Sequence, residues 1–364
     1  MWIFYSPHSF LQVLPGENES SSGGSNRNLN FMEYVTMKSL SHFCMVLLVG
    51  FFLTGCSLSY DLNPQVSSTA EYEQGTQKQK TIFVKDNRSD KQFIKGVTGL
   101  SGVTLEIGNV KDPVNWLSQS LQQEFQGHGI HTVTFTDDPA MEQSADATLV
   151  VDRYMIINSR KSGFHPYIAF HSFSGKIQSS DLEKTVISYF TYGKTPVWSM
   201  DEVQEPCFDM PSAILIKGIA AKVNRFALHY QMSDRQLDEL NTRINEELQA
   251  ESPATYLSVL ELGQSNNPKA ISYLKVLADN SDTLIRACAL SGFGMLGQED
   301  TFGFLKEKYN KYKDIDRFMA LKSIGDLGTA EAMELLKEAR YDLQYSDELG
   351  FKYLVDLYLE ADTQ

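Results

Sequence analysis

The sequence predicts an α+β N-terminal domain, with a mixed or antiparallel sheet and two helices, followed by an all-α helical solenoid. Three observations lead to this fold class. Several segments between residues 81 and 191 alternate apolar and polar side chains, as half-buried strands do. Residues 113–126 and 211–230 instead place apolar side chains at helical spacing. From residue 231 onward, apolar segments recur with a period of 31 residues, which is typical of helical repeats.

The first helix has a well-marked beginning and end. Asp112 is a favourable N-cap residue, and Pro113 suits the first helical position. Gly127 and Gly129 then indicate where the helix stops. The strands predicted around this helix are, in chain order, Thr81–Lys85, Val103–Ile107, Ile130–Thr136, Ala147–Ile157, Tyr167–Ile177 and Lys184–Thr191.

The last three of these strands should form an antiparallel meander with one solvated face, because their apolar and polar residues alternate. A long helix from Pro211 to Tyr230 should close the domain, with Leu215, Ile219 and Val223 on its inward face.

The C-terminal region contains two copies of one 12-residue pattern, at 286–297 and 317–328. Arg286 aligns with Arg317, and alanine, leucine and glycine positions coincide as well. The pattern resembles HEAT-type repeats, in the short variety of the phycobilin-lyase HEAT-like repeats. That resemblance implies roughly three stacked helix pairs and a last helix at 346–359, with an extended surface suited to binding other proteins.

Upstream of the predicted sheet, an apolar run from Phe43 ends in Leu53-Thr54-Gly55-Cys56 and is preceded by Met37-Lys38. The run is too short to span a bilayer as a helix. This order resembles the bacterial lipoprotein signal, whose peptide is cut before a cysteine that carries acyl chains. The resemblance implies lipidation of Cys56, and Ser57 after it points to the outer membrane with the protein facing the periplasm. An ordinary secretory signal with an incidental cysteine is the alternative.

The first 36 residues show no apolar period and no reason to pack. Because a lipoprotein signal normally stands at the N-terminus, we expect translation to start at Met37, with a genuine cytoplasmic extension as the alternative. The predicted organisation is an extension at 1–36, a signal peptide at 37–55, a tether at 56–80, the α+β domain at 81–230 and the repeat domain at 231–364.

The segment from Cys56 to Tyr230 also resembles the YajG-type outer-membrane lipoproteins. The likeness rests on short motifs, which are Val84, 86–88, 94–96, the helix 113–126 with Gly129, and 144–151. It implies a periplasm-facing lipoprotein domain and supplies no catalytic residues.

The charge of the chain is uneven. Residues 231–364 hold 14 basic and 24 acidic side chains, whereas 81–230 hold 14 and 16. This acidity argues against nucleic acid as a partner, because phosphate groups require the opposite charge. No cysteine–histidine cluster predicts a metal site, and the glycine-rich segment 96–102 precedes a strand, so no cofactor is expected. Cys207 and Cys288 should be buried thiols, or otherwise one disulfide between the domains.

Four residues are candidate contacts for a partner or ligand. Asp86 and Arg88 follow the first predicted strand, and Arg286 and Arg317 are equivalent in the repeat. The simpler interpretation is that the first pair closes a turn and that the repeat arginines brace neighbouring repeats. The histidines at 128, 131, 165 and 171 are expected on turns or on the exposed surface of the sheet.

These features together predict a non-enzymatic, membrane-anchored lipoprotein that acts as a protein-binding scaffold or an envelope-maintenance factor through its acidic repeat domain. The alternative is an enzyme acting on an envelope polymer, with a site between the two domains. A triad of distant residues leaves no local signature, and the mature chain has no Gly-x-Ser-x-Gly motif.

Overall fold

The structure of the protein is a computed structural model that describes residues 56–64, 71–72, 78–343 and 349–362. These residues belong to one compact unit that begins at Cys56. The predicted extension, the predicted signal peptide and Leu53–Gly55 lie outside the described residues. A mixed sheet occupies the N-terminal part and helices occupy the C-terminal region, which confirms the fold class at this coarser level.

The strands of the described part are β1 (Cys56–Tyr60), β2 (Lys80–Asp86), β3 (Ile94–Gly96), β4 (Val103–Ile107), β5 (Val133–Thr136), β6 (Ala147–Ser159), β7 (Tyr167–Gln178) and β8 (Glu183–Lys194). The main sheet has the order β5-β2-β6-β7-β8, and β3 also pairs with β6. β2 is parallel to β5 and β6, whereas β6, β7 and β8 form the predicted antiparallel meander. β1 and β4 make a separate parallel pair.

Helix α1 (Pro113–Gly127) begins and ends close to where the sequence predicts. The Asp112 carboxylate accepts hydrogen bonds from the backbone N–H groups of Val114 at 2.9 Å and Asn115 at 3.1 Å. Gly129, just beyond the helix, adopts φ +72°, a conformation that glycine reaches without strain. The apolar face of α1 is buried against β2 and β5.

Helix α2 (Met210–Val223) is buried on every side, not only on the predicted inward face. One side contacts the sheet, where the Ser188 hydroxyl donates to the Leu215 carbonyl at 3.0 Å. The opposite side contacts helices of the C-terminal region. α2 is therefore the central element between the two parts of the molecule.

The remaining helices are α3 (Asp234–Gln249), α4 (Thr255–Gln264), α5 (Ala270–Leu277), α6 (Thr283–Leu296), α7 (Phe302–Lys311), α8 (Ile315–Leu327), α9 (Ala330–Leu343) and α10 (Leu349–Asp362). Gly263, Gly294 and Gly325 recur at the repeat spacing of 31 residues on α4, α6 and α8. A Cβ atom at Gly263 would lie 2.5 Å from the Gly292 Cα of α6. One at Gly325 would lie 2.7 Å from the ring of Tyr358 on α10. The repeat therefore preserves positions of close helix–helix approach.

The buried helices of this region pack against the sheet part of the same chain. α4 and α6 contact α2, α8 contacts β8, and α10 contacts β7 and β8. The Tyr189 hydroxyl on β8 donates to the Gly350 carbonyl at 3.2 Å, and Ser172 on β7 lies 3.0 Å from the Tyr353 hydroxyl. Ser172 and Tyr189 are register partners on one face of the meander, and α2 contacts Ser188 on the other face. α10 therefore covers part of the face that the sequence predicts to be solvated.

The described parts of the predicted tether contact the body of the protein. Tyr60 and Leu62, in the one stretch where the sequence suggests a contact, are buried. Tyr72 is also buried, and its hydroxyl donates to the Gln264 carbonyl at 2.6 Å. β1 itself begins at Cys56 and pairs with β4. Buried aromatic and leucine side chains therefore hold these residues against the body.

We expect Gly263→Ala to lower the free energy of unfolding by about 1–3 kcal/mol, because the added methyl group separates two tightly packed helices. Gly303→Ala on α7 is the matched control, since a Cβ atom there meets open space. Urea unfolding of the full chain should show the control unchanged or stabilised by up to about 1 kcal/mol. Equal midpoints for the two variants would contradict the close approach.

Candidate functional site

Asp86 and Arg88 pair with each other at the end of β2. The Arg88 guanidinium donates to the two carboxylate oxygens at 2.9 and 3.1 Å, and Lys91 lies 3.0 Å from the same carboxylate. Burial alone would raise the pKa of Asp86, but these hydrogen bonds lower it to about 2. Arg88 itself is buried. The geometry is that of a closed turn.

Arg286 braces adjacent helices of the repeat. It donates to the Asp316 carboxylate at 2.8 Å and 2.7 Å, and to the carbonyls of Asn280 and Ser281. Its guanidinium also lies 5.0 Å from the centroid of the Tyr312 ring. These contacts join α6 to the start of α8.

Arg317 lies between two aromatic rings, 4.7 Å from the centroid of Tyr309 and 4.9 Å from that of Phe351. It therefore joins α8 to α7 and α10. The structure places the four candidate residues in three separate locations, so they do not form one site.

Two of the histidines are buried, which corrects the expectation that all four lie on turns or the exposed sheet surface. The Nε2–H of His171 donates to the Cys207 carbonyl at 2.8 Å, and its Nδ1 lies 3.2 Å from the Ser212 hydroxyl. Burial lowers the pKa of His171 to about 4. His128 is buried 3.3 Å from the Glu124 carboxylate. His171 is buried because α2 covers its face of the sheet. His128 is buried because Tyr72 and the α2 residues Ala220 and Ala221 lie around it.

A buried charge network joins α1, α2 and α4. The Lys217 ammonium and the Gln264 amide each donate to the Glu124 carboxylate at 2.7 Å. Burial would raise the pKa of Glu124, but the Lys217 charge and the hydrogen bonds from His128 and Gln264 together hold that pKa well below its ordinary value. The ring of Tyr72 packs edge-on against His128, with centroids 4.7 Å apart. This network and the Gln264 carbonyl fix Tyr72 to the junction of the two parts.

A second buried network centres on the Asp326 carboxylate of α8. It accepts hydrogen bonds from Lys222 of α2 and Tyr358 of α10, and its other oxygen lies 2.8 Å from the Lys322 ammonium. Lys222 also donates to the backbone carbonyl of Ile187 on β8. One carboxylate therefore links the sheet, the central helix and two repeat helices.

This network forms the floor of a cavity of about 590 Å³, which we call the junction pocket. Four basic groups lie in the pocket or directly behind it, compared with two carboxylates. Its defining side chains are Lys184, Lys222, Arg225, Glu299, Asp326 and Tyr358, with Lys322 behind Asp326. In a chain of net charge −14, this is a local excess of basic groups over carboxylates.

The two central groups of the pocket carry shifted pKa values. Burial lowers the pKa of Lys222 to about 7, although the charge of Asp326 opposes the change. Burial would raise the pKa of Asp326, but the charges of Lys222 and Lys322 keep it below its ordinary value. An anionic group entering the pocket would favour the charged form of Lys222. The pocket is therefore suited to an acidic ligand group.

Sequence reasoning misses this pocket, although two signals are present. Lys222, like Lys217, falls within a helix whose other residues are almost all apolar or small. In the aligned repeat, Ser291 and Met295 of the first copy correspond to Lys322 and Asp326 of the second. When one repeat copy has a charged pair at positions that are uncharged in the other copy, those residues indicate a role beyond helix packing.

Cys207 and Cys288 are free and buried, so the structure contains buried thiols rather than the alternative disulfide. Within residues 56–64, 71–72, 78–343 and 349–362, no group of three or more histidine, cysteine or acidic side chains could hold a metal ion. No helix of the same residues has the length and apolar character needed to cross a bilayer.

No family model matches the chain, and no curated protein matches it significantly. Among solved structures, it is similar to a crystal structure of a Xanthomonas campestris protein assigned to the family DUF330. The two share 13% sequence identity over 44% of this chain and 90% of that chain, with a TM-score of 0.29. A likeness this small carries no conclusion about fold or function.

Lys222 should make stability depend on pH. The folded protein releases its proton near pH 7, whereas an unfolded lysine does so near 10.5, so the unfolded chain binds more protons between these values. The free energy of unfolding should therefore rise by about 2 kcal/mol from pH 7 to pH 9 relative to Lys222→Met.

Urea titrations at both pH values measure this difference. Lys337→Met, which removes an exposed lysine 3.7 Å from Glu334, should keep the wild-type dependence. A Lys222→Met variant with the same pH dependence as the wild type would show that Lys222 titrates normally.

Proposed function

We propose that the protein is a non-enzymatic lipoprotein, anchored in the outer membrane through Cys56, that faces the periplasm and binds a protein partner as a scaffold or envelope-maintenance factor. The lipoprotein-like order at the end of the apolar run supports the anchor. We further propose that the junction pocket receives an acidic group of the partner. The observation that carries this proposal is the local excess of basic groups in the pocket.

The charge of the pocket determines which chemical group fits it. Asp326 already accepts from Lys222, Lys322 and Tyr358, so its charge is compensated from within the protein. Lys184 is exposed at the pocket together with Glu299. The half-buried Arg225 also lines the pocket, and its Nη1 donates to the carbonyls of Gly294 and Met295. A carboxylate from a partner would gain charge-assisted hydrogen bonds there. The acidic remainder of residues 231–364 would attract basic patches around that contact.

We propose that the helical region is a HEAT-like solenoid. Three glycines at the 31-residue spacing and the Arg286–Asp316 contact between α6 and α8 support this assignment. Its buried helices already contact α2 and β8 of the same chain. A partner must therefore use the pocket or the outer helices rather than the surface that holds the sheet.

The second candidate function is an enzyme with its site at the same junction. The lowered pKa of Lys222 favours it, because a neutral amine is a nucleophile. However, Lys222 donates to the Ile187 carbonyl and the Asp326 carboxylate, and both contacts would have to break before its nitrogen could attack a substrate. Binding requires no such rearrangement.

Cys56→Ser should move the protein from the membrane to the soluble fraction and abolish labelling with radioactive palmitate. Each buried methylene of an acyl chain contributes about 0.8 kcal/mol, so losing several chains removes a lasting attachment. Cys207→Ala, which replaces a different, buried cysteine, should remain in the membrane fraction and keep its label. Unchanged fractionation of Cys56→Ser would refute the anchor.

A photo-crosslinking amino acid at Glu299, on the rim of the pocket, should yield a discrete adduct in intact cells, whereas one at the exposed Lys111 should not. Adding Lys184→Glu should reduce the adduct about fivefold, because it reverses a charge at the opening. Lys313→Glu changes an exposed lysine outside the pocket and should leave the adduct intact. An adduct insensitive to Lys184→Glu would contradict the proposed acidic contact.

A further inference from the structure

Exposed apolar side chains concentrate at one end of the sheet. Four of the seven large hydrophobic side chains that are exposed in the described residues are Val97, Leu100, Phe164 and Trp198. Phe164 is completely exposed, at 101%, and Trp198 is 85% exposed. Aromatic side chains left in water at this level indicate a surface that another phase or molecule covers.

The strand directions place these side chains at the same end. Val97 and Leu100 lie in the loop that follows β3, Phe164 lies between β6 and β7, and Trp198 follows β8. β3 is parallel to β6, with Gly96 opposite Asn158, and β7 and β8 are antiparallel neighbours. All three loops therefore leave the sheet at the carboxyl end of β6, and we call this surface the apolar end.

Buried polar contacts hold the loops of the apolar end together. Arg160 is 3% exposed and donates to the carbonyls of His165, at 3.1 Å, and Gly163 on either side of Phe164. Its guanidinium also lies 3.6 Å from the Met200 sulfur, two residues after Trp198. The two aromatic side chains thus project from braced loops.

The first two loops are also in direct contact. The Asn158 amide donates to the Val97 carbonyl at 2.7 Å, and a Cβ atom at Gly99 would lie 2.8 Å from the backbone of Ser162. The exposed apolar groups are therefore parts of one surface rather than isolated side chains.

Cys56 lies at this same end. In the parallel pair of β1 and β4, Cys56 is opposite Val103. The Val103 N–H donates to the Leu100 carbonyl at 3.4 Å, which places the loop with Leu100 directly beside the start of β1. Tyr60, four residues after Cys56, donates to the Met200 carbonyl at 2.8 Å. Cys56 therefore lies beside the Leu100 loop of the apolar end.

We propose that the apolar end is a lipid-binding surface that seats on the membrane holding Cys56, with Phe164 and Trp198 in the headgroup region. This rests on the proposed anchor at Cys56. Tryptophan and phenylalanine favour that region, because it accommodates an apolar ring beside polar groups. The exposed Lys161, next to the Phe164 loop, would lie near anionic headgroups. The body would then rest on the bilayer in a fixed orientation.

Quenching of tryptophan fluorescence by brominated lipids tests this contact. Wild-type protein would be reconstituted in vesicles of phosphatidylethanolamine and phosphatidylglycerol with brominated acyl chains, and Trp198→Phe would identify the contribution of Trp198. We expect quenching in the wild type that is largely lost in Trp198→Phe. Protein that floats with the vesicles but shows equal quenching in both would overturn the lipid-binding surface while leaving the anchor intact. Protein that does not float would overturn both.

A second experiment removes the anchor and measures the surface alone. Cys56→Ser protein should bind the same vesicles weakly, and Phe164→Ser with Trp198→Ser should weaken that binding about tenfold. Val276→Ser, which removes an exposed apolar side chain on α5, is the control and should not change it. Equal vesicle binding by all three proteins would overturn the proposal, as would a crosslink from position 164 to a protein instead of lipid.

Discussion

The arrangement of the two parts depends on the buried Asp326 carboxylate. Desolvating this group with Lys222 and Lys322 is costly, and removing one partner from such a cluster exposes the full cost of an unpaired buried charge. The cluster persists because every charge finds an opposite charge or a backbone carbonyl. Since its members come from the central helix and two repeat helices, the pairing also specifies how the helical region meets the sheet.

This junction determines which surface of the repeat helices a partner can reach. A solenoid, as we propose for this region, normally offers its extended surface to a partner. Here, α2 and β8 of the same chain occupy the surface formed by the buried helices. Helices contact both faces of the meander at β7 and β8, and the glycines at 263, 294 and 325 allow the helices of the C-terminal region to approach one another closely. The surfaces left for binding are the places where this packing ends, which are the junction pocket and the loops at the ends of the strands.

The sequence predicts the local features well, because they arise from neighbouring residues. Asp112 and Pro113 start α1, and the antiparallel meander follows from alternating side chains. The junction pocket could not be predicted in this way. Lys222 and Asp326 are 104 residues apart, and a lysine in a sequence ordinarily indicates solvent. The sequence predicts an exposed His171 for a related reason, because only the tertiary contact with α2 buries its side of the strand. The 31-residue spacing of Arg286 and Arg317 does predict their role in bracing helices, because that spacing arises from helix packing.

The two proposed surfaces lie at opposite ends of one strand. β8 has Lys184, on the rim of the junction pocket, near its start, and Lys194, four residues before Trp198, at its end. Ten residues of strand span roughly 33 Å. If the apolar end rests on lipid, the strand carries the pocket this distance from the headgroups, several Debye lengths away at physiological salt. An acidic partner group can then approach the pocket without competing with anionic lipid for its basic side chains. The acidic helical region, packed along the same strand, is repelled by those headgroups, which favours the same orientation.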